Sequence, residues 1–219
     1  MSRLMAFPYP LEEGGGLDAQ QPALGHRVES HSRASPGRAE LEDFIGNSFF
    51  ATYGAHVGHF CETLVACRDA GGALIAALGY SPADAGPTFL EQYLDAPLEV
   101  EIGRRLGRPV TRSQVVEVGN LAAIRPGAAR ILIVRTTRLL YRMGLHWVAF
   151  TATASVLNSF GRLHLQPQPL AAADPSRLPD GGRQWGSYYD TQPHVMFGDI
   201  HYGYAQLAQF SSSQRQLAE

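Results

Sequence analysis

The chain has 219 residues, 45% apolar and 17% charged, with a formal net charge of −2. This is globular composition, long enough for one domain or one domain with a tail, with on the order of 70% of the unfolded surface buried. The near-neutral balance excludes the electrostatic footprint of a nucleic-acid or anionic-membrane binder. All 18 basic residues are arginines. Without lysine there is no Schiff base, no lysine nucleophile and no Walker-type phosphate loop. Cys61 and Cys67 match no zinc or redox spacing, and a pair this sparse is no disulfide framework. Pro8, Pro10 and two glutamates interrupt the N-terminus, so no signal peptide is expected. No run approaches the ~18 apolar residues of a membrane span, so stable membrane insertion is not expected and a cytoplasmic protein is.

Residues 1–38 lack periodicity and read as a flexible arm rich in Gly, Pro, Ser and His. Its His26 and His31 are scattered polar-tail residues or metal ligands. From Ala39 to Ala55 a helix is predicted, with Leu41, Phe44, Ile45 and Phe49 on one face. Thr63–Cys67 and Ala73–Tyr80 read as strands joined in a hairpin by a Gly-containing connection. Phe89–Leu94 is ambiguous. A helix is predicted from Pro97 to Gly107. Val115–Ala123 reads as a strand, with a bulge at Gly119-Asn120, residues tolerant of positive φ. Ala128–Met143 carries the clearest helical period and stops at Gly144. Leu145–Ala152 is a buried strand, and Thr153 caps the helix after it. The last residues, 206–219, read as a polar, frayed tail. Strand, helix, strand and helix in succession make a crossover unit with parallel strands, and the hairpin adds antiparallel ones. The expected fold is therefore α/β (α+β) on a mixed sheet.

Three places offer chemistry. The junction VVEVGNLAAIRPGAARILIV sets a bulged strand end against a helix N-terminus, whose free N–H groups and positive dipole end suit phosphate. Arg125 and Arg130 add charged donors there. Glu117 lies within an apolar strand, where a carboxylate is costly unless paired. It is either a general base with a raised pKa or a structural partner of Arg112 or another arginine. Glu91, Asp95 and Glu99 either recognise a cationic amine or form a solvated face. Trp185, Tyr188 and Tyr189 line a pocket and donate a proton, or they simply pack. His56 and His59 read as ordinary surface or core histidines. The lack of HxxxH, HExxH and CxxC patterns speaks against a metal, and the lack of G-x-S-x-G against a serine hydrolase of that type.

The segments FLEQYLD (Phe89–Asp95), VVEVGNLA (Val115–Ala122), WVAFTATASVLNSFGRL (Trp147–Leu163), PLAAAD (Pro169–Asp174) and WGSYY (Trp185–Tyr189) resemble the bacterial thermostable hemolysins. The match runs from about Ala39 to Ile200. The element order is similar to the GNAT acyltransferase fold, and within it to the acyl-homoserine-lactone synthases. That resemblance implies a GNAT-like domain over 39–205, its sheet splayed between two parallel strands and its helices on both faces. It implies an N-acyltransferase moving an acyl group from acyl-CoA or from the phosphopantetheine of an acyl-carrier protein to a small amine or amino acid. The site residues it implies are Glu117 as base, Asn120 and Leu121 as backbone donors to the thioester carbonyl, and Tyr188 as proton donor, with Glu91 as a further candidate. Ala122, Arg125, Gly127, Ala128, Ala129, Arg130 and Asn158 are the implied donor-binding residues. The [QR]-x-x-G-x-[GA] phosphate signature is shifted here: Gly127 comes one position early in Arg125-Pro126-Gly127-Ala128-Ala129, which weighs towards a carrier protein. A membrane-active protein without chemistry and an inactive thioester-binding module are the alternatives.

Overall fold

The computed structural model describes residues 25–216, with side chains described to residue 209. Seven strands form one sheet: β1 (Arg27–His31), β2 (Thr63–Arg68), β3 (Leu74–Pro82), β4 (Val115–Ala123), β5 (Trp147–Ala152), β6 (Gln168–Ala172) and β7 (His194–Asp199). Their order across the sheet is β1-β2-β3-β4-β5-β7-β6. Every neighbouring pair is antiparallel except β4 and β5, which are parallel. Parallel neighbours need a crossover. Here it is α3 (Ala128–Arg142), whose Leu132 and Leu140 pack on Val116.

Side chains alternate across the sheet, so each face collects its own helices. On one face α1 (Arg38–Tyr53) buries Leu41 and Ile45 over Leu64, Ala66 and Ala77. α2 (Leu98–Leu106) buries Leu98 and Ile102 with Val115, Trp147 and Ala149 on that same face. The opposite face carries α3, α4 (Ala154–Gly161) and α5 (Ile200–Gln216). Ile200 joins the Val116 cluster there, and Phe160 stacks on Phe150. The fold is a mixed-sheet α/β fold with helices on both faces, as expected.

Two features of β4 shape the centre. It pairs with β5 only from Val115–Val118 to Trp147–Phe150. Past Val118, β4 continues beside β3 and β5 continues beside β7, so the two parallel strands part. On the β3 side Gly79 faces Gly119, but the next partners are Ala77 and Ala122. β4 therefore holds one extra residue, a bulge, and Asn120 takes the left-handed conformation with φ 54°. Gly79 must be glycine, because a Cβ there would sit 2.6 Å from Cys61 Cβ.

Two expectations need correction. The arm does not extend to residue 38: Arg27–His31 form the edge strand β1, paired with β2. Only Val28 of this strand enters the core, so there was little apolar alternation to read. Residues 1–24 lie outside the described residues. The C-terminal segment is helical through Gln216 rather than frayed from 206, and Leu207 is buried against Ile133 and Leu163. The ambiguous FLEQYL segment is a 3₁₀ turn over Phe89–Tyr93.

Candidate active site

A cavity of about 190 Å³ opens where β4 and β5 part and passes from one face of the sheet to the other. Glu117, Gly119, Asn120 and Leu121 of β4 line one side, and Val148, Phe150 and Thr151 of β5 the other. Towards α3 and α4 the lining is apolar: Leu78, Ile133, Leu140, Val156 and Phe160. Thr136 of α3 reaches the same space. Its hydroxyl is buried and finds no hydrogen-bond partner among the described residues.

On the α1 face the cavity ends in aromatic side chains around Glu117. Phe49 and Tyr53 come from α1, Phe89 and Tyr93 from the 3₁₀ turn, and Trp185 and Tyr188 from the C-terminal third. Tyr188 is the hub. Its ring lies 5.3 Å from those of Tyr53, Trp185 and Tyr189. The 182–188 segment is held tightly to α1: Ser187 N–H donates to the Tyr53 carbonyl, and a Cβ on Gly186 would overlap that oxygen. Tyr93 and Tyr189 share a hydroxyl–hydroxyl hydrogen bond of 2.6 Å. His59, partly exposed at the rim, stacks on Phe89.

Glu117 is 3% exposed, and among the described residues no arginine pairs with it. Its Oε2 accepts the Phe89 N–H at 2.8 Å, and the Leu90 N–H also points to it. Burial pushes this carboxyl up to about 7 against those two donors, and the charge of Glu91 adds to the rise. The pairing of Glu117 with Arg112 is not made, since Arg112 goes elsewhere. Its guanidinium bonds Glu91 Oε1 at 2.6 Å, Glu99 Oε2 at 2.7 Å and the Gly86 carbonyl at 2.7 Å. Glu91 also accepts from the Thr88 and Leu98 N–H groups. Burial alone would raise its pKa, but these partners, Arg112 first, hold it below the ordinary value. Glu91 thus fixes the turn that supplies N–H groups to Glu117, and it does not line the cavity. Asp95 pairs with Arg177.

The other implied residues separate into three places. Asn120 lines the cavity, yet its side chain is occupied. Its Oδ1 accepts from Cys61 N–H and its Nδ2 donates to the His59 carbonyl, tying the 59–61 segment to the bulge. Tyr188 is buried and hydrogen-bonds Thr151 across the gap. Burial keeps its hydroxyl protonated well above the ordinary phenol range. Leu121 lines the cavity, whereas Ala122 is buried against α1. Arg125, Gly127, Ala128, Ala129 and Arg130 stand together at the N-terminus of α3 but outside the cavity lining. Arg125 pairs with Asp69 at 2.7 Å, and the guanidinium of Arg130 lies over Gly127. Asn158 is exposed on α4 and outside the lining.

Sequence reasoning missed part of this site. His59 is a lining residue whose pKa is lowered by burial and by the charge of Arg33. Cys61 lines the cavity as well. Burial and the charge of Glu117 push its thiol up to about 12, so it stays neutral. Phe49 and Tyr53 carried no signal beyond helical spacing. Phe89 and Tyr93 lay in the FLEQYLD motif but only as part of a resemblance. Among the described residues no group of three or more His, Cys, Asp or Glu could hold a metal ion. No helix there is long and apolar enough to cross a membrane.

The Thermostable hemolysin family matches residues 31–204. The chain belongs to that family. No curated protein matches this thermostable hemolysin. Solved structures do. TofI, crystallised in a ternary complex with an inhibitor and MTA, is 17% identical with a TM-score of 0.57, covering 83% of this chain and 96% of its own. FeeM, an N-acyl amino acid synthase from uncultured soil microbes, is 14% identical with a TM-score of 0.55, covering 84% and 97%. BjaI, a CoA-dependent acyl-homoserine lactone synthase solved with SAM and isopentyl-CoA, is 12% identical with a TM-score of 0.55, covering 84% and 89%. At these identities the likeness establishes the fold, which is GNAT-like.

Proposed function

We propose that this thermostable hemolysin is an N-acyltransferase. It moves an acyl group from an acyl-CoA or acyl-carrier-protein thioester to a small amine or amino acid, in the cytoplasm where such donors circulate. The observation that carries this reading is Glu117: an unpaired, deeply buried carboxylate facing a cavity that runs through the parted strands. Among the described residues it has backbone N–H donors from Phe89 and Leu90 but no counter-charge, and a buried charge without a counter-charge costs stability. The likeness to the solved synthases reaches the fold alone, so the chemistry must stand on the geometry.

The acyl chain and pantetheine lie in the apolar part of the cavity between Leu78, Ile133, Leu140 and Phe160. The Thr136 hydroxyl is a free donor for a carbonyl of that chain. The positive end of α3, with Arg130 over Gly127, meets the donor's phosphate at the cavity's outer end. The amine enters from the aromatic side. Glu117 takes one proton from the ammonium, and the freed lone pair attacks the thioester carbonyl carbon. Backbone N–H groups at the Asn120 bulge stabilise the oxyanion. As the carbon–sulfur bond breaks, the second amine proton passes to sulfur, which leaves as the thiol. Tyr188 steadies the departing sulfur as a hydrogen-bond donor, since its high pKa keeps it protonated. Glu117 then releases its proton to solvent.

The test is thiol release from acyl-CoA and acyl-carrier-protein donors in the presence of an amine panel, with the amide product identified by mass spectrometry. Amide formation that Glu117→Gln abolishes is the expected result. Absence of amide from both donor classes across amines and amino acids overturns the reading.

A further inference from the structure

The aromatic end of the cavity says which acceptor the site takes, and this rests on the acyl-transfer reading above. We infer that the acceptor is a primary amine with an aromatic or other apolar body and no carboxylate, of the arylalkylamine class. Three observations carry it.

First, the carboxylate that meets the amine is enclosed by ring faces and edges. Tyr53, Phe89, Tyr93, Trp185 and Tyr188 are contributed by three separate parts of the chain, and they touch one another at centroid distances of 5.3–5.9 Å. Ring faces around a carboxylate attract an organic ammonium, and the flat walls suit a planar or apolar substituent.

Second, among the described residues no arginine lines the cavity, and the chain has no lysine. The guanidinium groups that bond the 89–94 and 61–62 segments are already committed. Arg112 is held by Glu91 and Glu99, Arg177 by Asp95 and the Leu94 carbonyl, and Arg38 by Glu42 and the Cys61 and Glu62 carbonyls. Arg33, whose charge is felt at His59, is exposed and outside the lining.

Third, the carboxylates lining the cavity are Glu117 and Asp199, the latter accepting the Tyr202 N–H. An α-amino acid placing its ammonium at Glu117 would bring a second carboxylate into an apolar enclosure beside a like charge. An unpaired charge there is penalised, and Glu117 adds repulsion.

The experiment is calorimetric titration of the full chain with phenethylamine, phenylalanine methyl ester and phenylalanine, three compounds sharing a ring and an amine. The first two are expected to bind about 10- to 100-fold more tightly than phenylalanine, the difference made by one unsatisfied charged group. Glu117→Gln should weaken all three. Trp185→Leu, at the half-buried wall, leaves the carboxylate in place and should weaken phenethylamine more than butylamine. Phenylalanine binding as tightly as its ester, or no binding by phenethylamine, overturns the acceptor class even if thiol release from other amines proceeds. Selective phenethylamine binding with no thiol release from any donor upholds the amine site and sinks the acyl-transfer reading instead.

Discussion

Glu117→Gln offers the most searching test, because stability and activity should move in opposite directions. The substitution keeps side-chain volume and leaves an oxygen to accept the Phe89 N–H. In the folded protein the carboxyl titrates at about 7 instead of the ordinary 4.5, so its ionised form is disfavoured by about 3 kcal/mol. The sign follows from linkage. Below pH 4.5 the group is protonated in both folded and unfolded chains and costs nothing. Between 4.5 and 7 the unfolded chain gives up the proton first, so stability falls as pH rises. Above 7 the loss is complete and constant. Glutamine has no proton to lose. The variant should therefore match the parent near pH 4.5 and exceed it at pH 8 by about 3 kcal/mol. For a domain this size that raises Tm by roughly 2–4 °C per kcal/mol. Other acids titrate alike in both proteins, so the difference between the two curves isolates Glu117. Thiol release should meanwhile drop by about 10²–10⁴-fold, the worth of a general base. Paired thermal melts from pH 4.5 to 8.5, with activity at each pH, decide the matter. A variant that is less stable at pH 8, or a difference that does not change with pH, would refute the claim that Glu117 is ionised at a cost to the fold.

Three further outcomes follow from the same geometry. Arg112→Met removes the cation from Glu91 and Glu99 and should destabilise the protein by about 2 kcal/mol in chemical denaturation, because two part-buried carboxylates lose their counter-charge. Asn120→Ala leaves the Cys61 N–H and the His59 carbonyl without their partner and should cost about 2 kcal/mol, while Asn120→Gly, which keeps the φ of 54° accessible, should cost no more than alanine despite its flexible backbone. Arg130→Ala should weaken donor binding by about 1.5–3 kcal/mol in calorimetry if its guanidinium holds the phosphate, and Arg125→Ala by less, because Asp69 already engages that side chain; equal affinities for parent and Arg130→Ala would remove the α3 N-terminus from the donor site.

Much of the frame was legible because its signals are local. The 3.6-residue period of 128–143, the hairpin around Gly71-Gly72 and the Gly119-Asn120 break each depend on neighbours in sequence, and each became the element expected. The GNAT-like order of those elements implied the parted strands, and the pairing confined to Val115–Val118 shows them. The site was legible in a glutamate in an apolar strand, in the Gly119-Asn120 break beside it and in Trp185 and Tyr188, all of which line the cavity. How its walls come together was not. The aromatic enclosure draws on α1, the 89–93 turn and the 185–188 segment, which meet only after folding. His59 was read as ordinary because nothing next to it in sequence announces that Phe89 stacks on it. Arg112 stood in the sequence as one candidate partner of Glu117, and tertiary packing commits it to Glu91 and Glu99 instead. β1 escaped because a strand with one buried residue has almost no period to detect.

Glu117 and Glu91 also explain each other. They belong to one small network, and both are buried enough that desolvation raises their pKa values. What separates them is the company each keeps. Glu91 has a guanidinium and two backbone N–H groups on it, and it ends up more acidic than an ordinary glutamate. Glu117 has backbone N–H groups alone, from Phe89 and Leu90, and it ends up near neutrality. The turn that carries these N–H groups is the one Glu91 caps through Thr88. Arg112 therefore serves Glu117 without touching it: it neutralises the nearby charge that would drive Glu117 higher still, and it fixes the turn that keeps Glu117 from being stranded. In the proposed acyl transfer, environments that push two carboxyl groups apart in this way divide a structural acid from a working base. An arginine moved onto Glu117 would lower its pKa and remove the proton exchange near pH 7 on which the proposed transfer relies. The fold instead spends its cation one shell away, leaving the carboxylate that faces the cavity free to react.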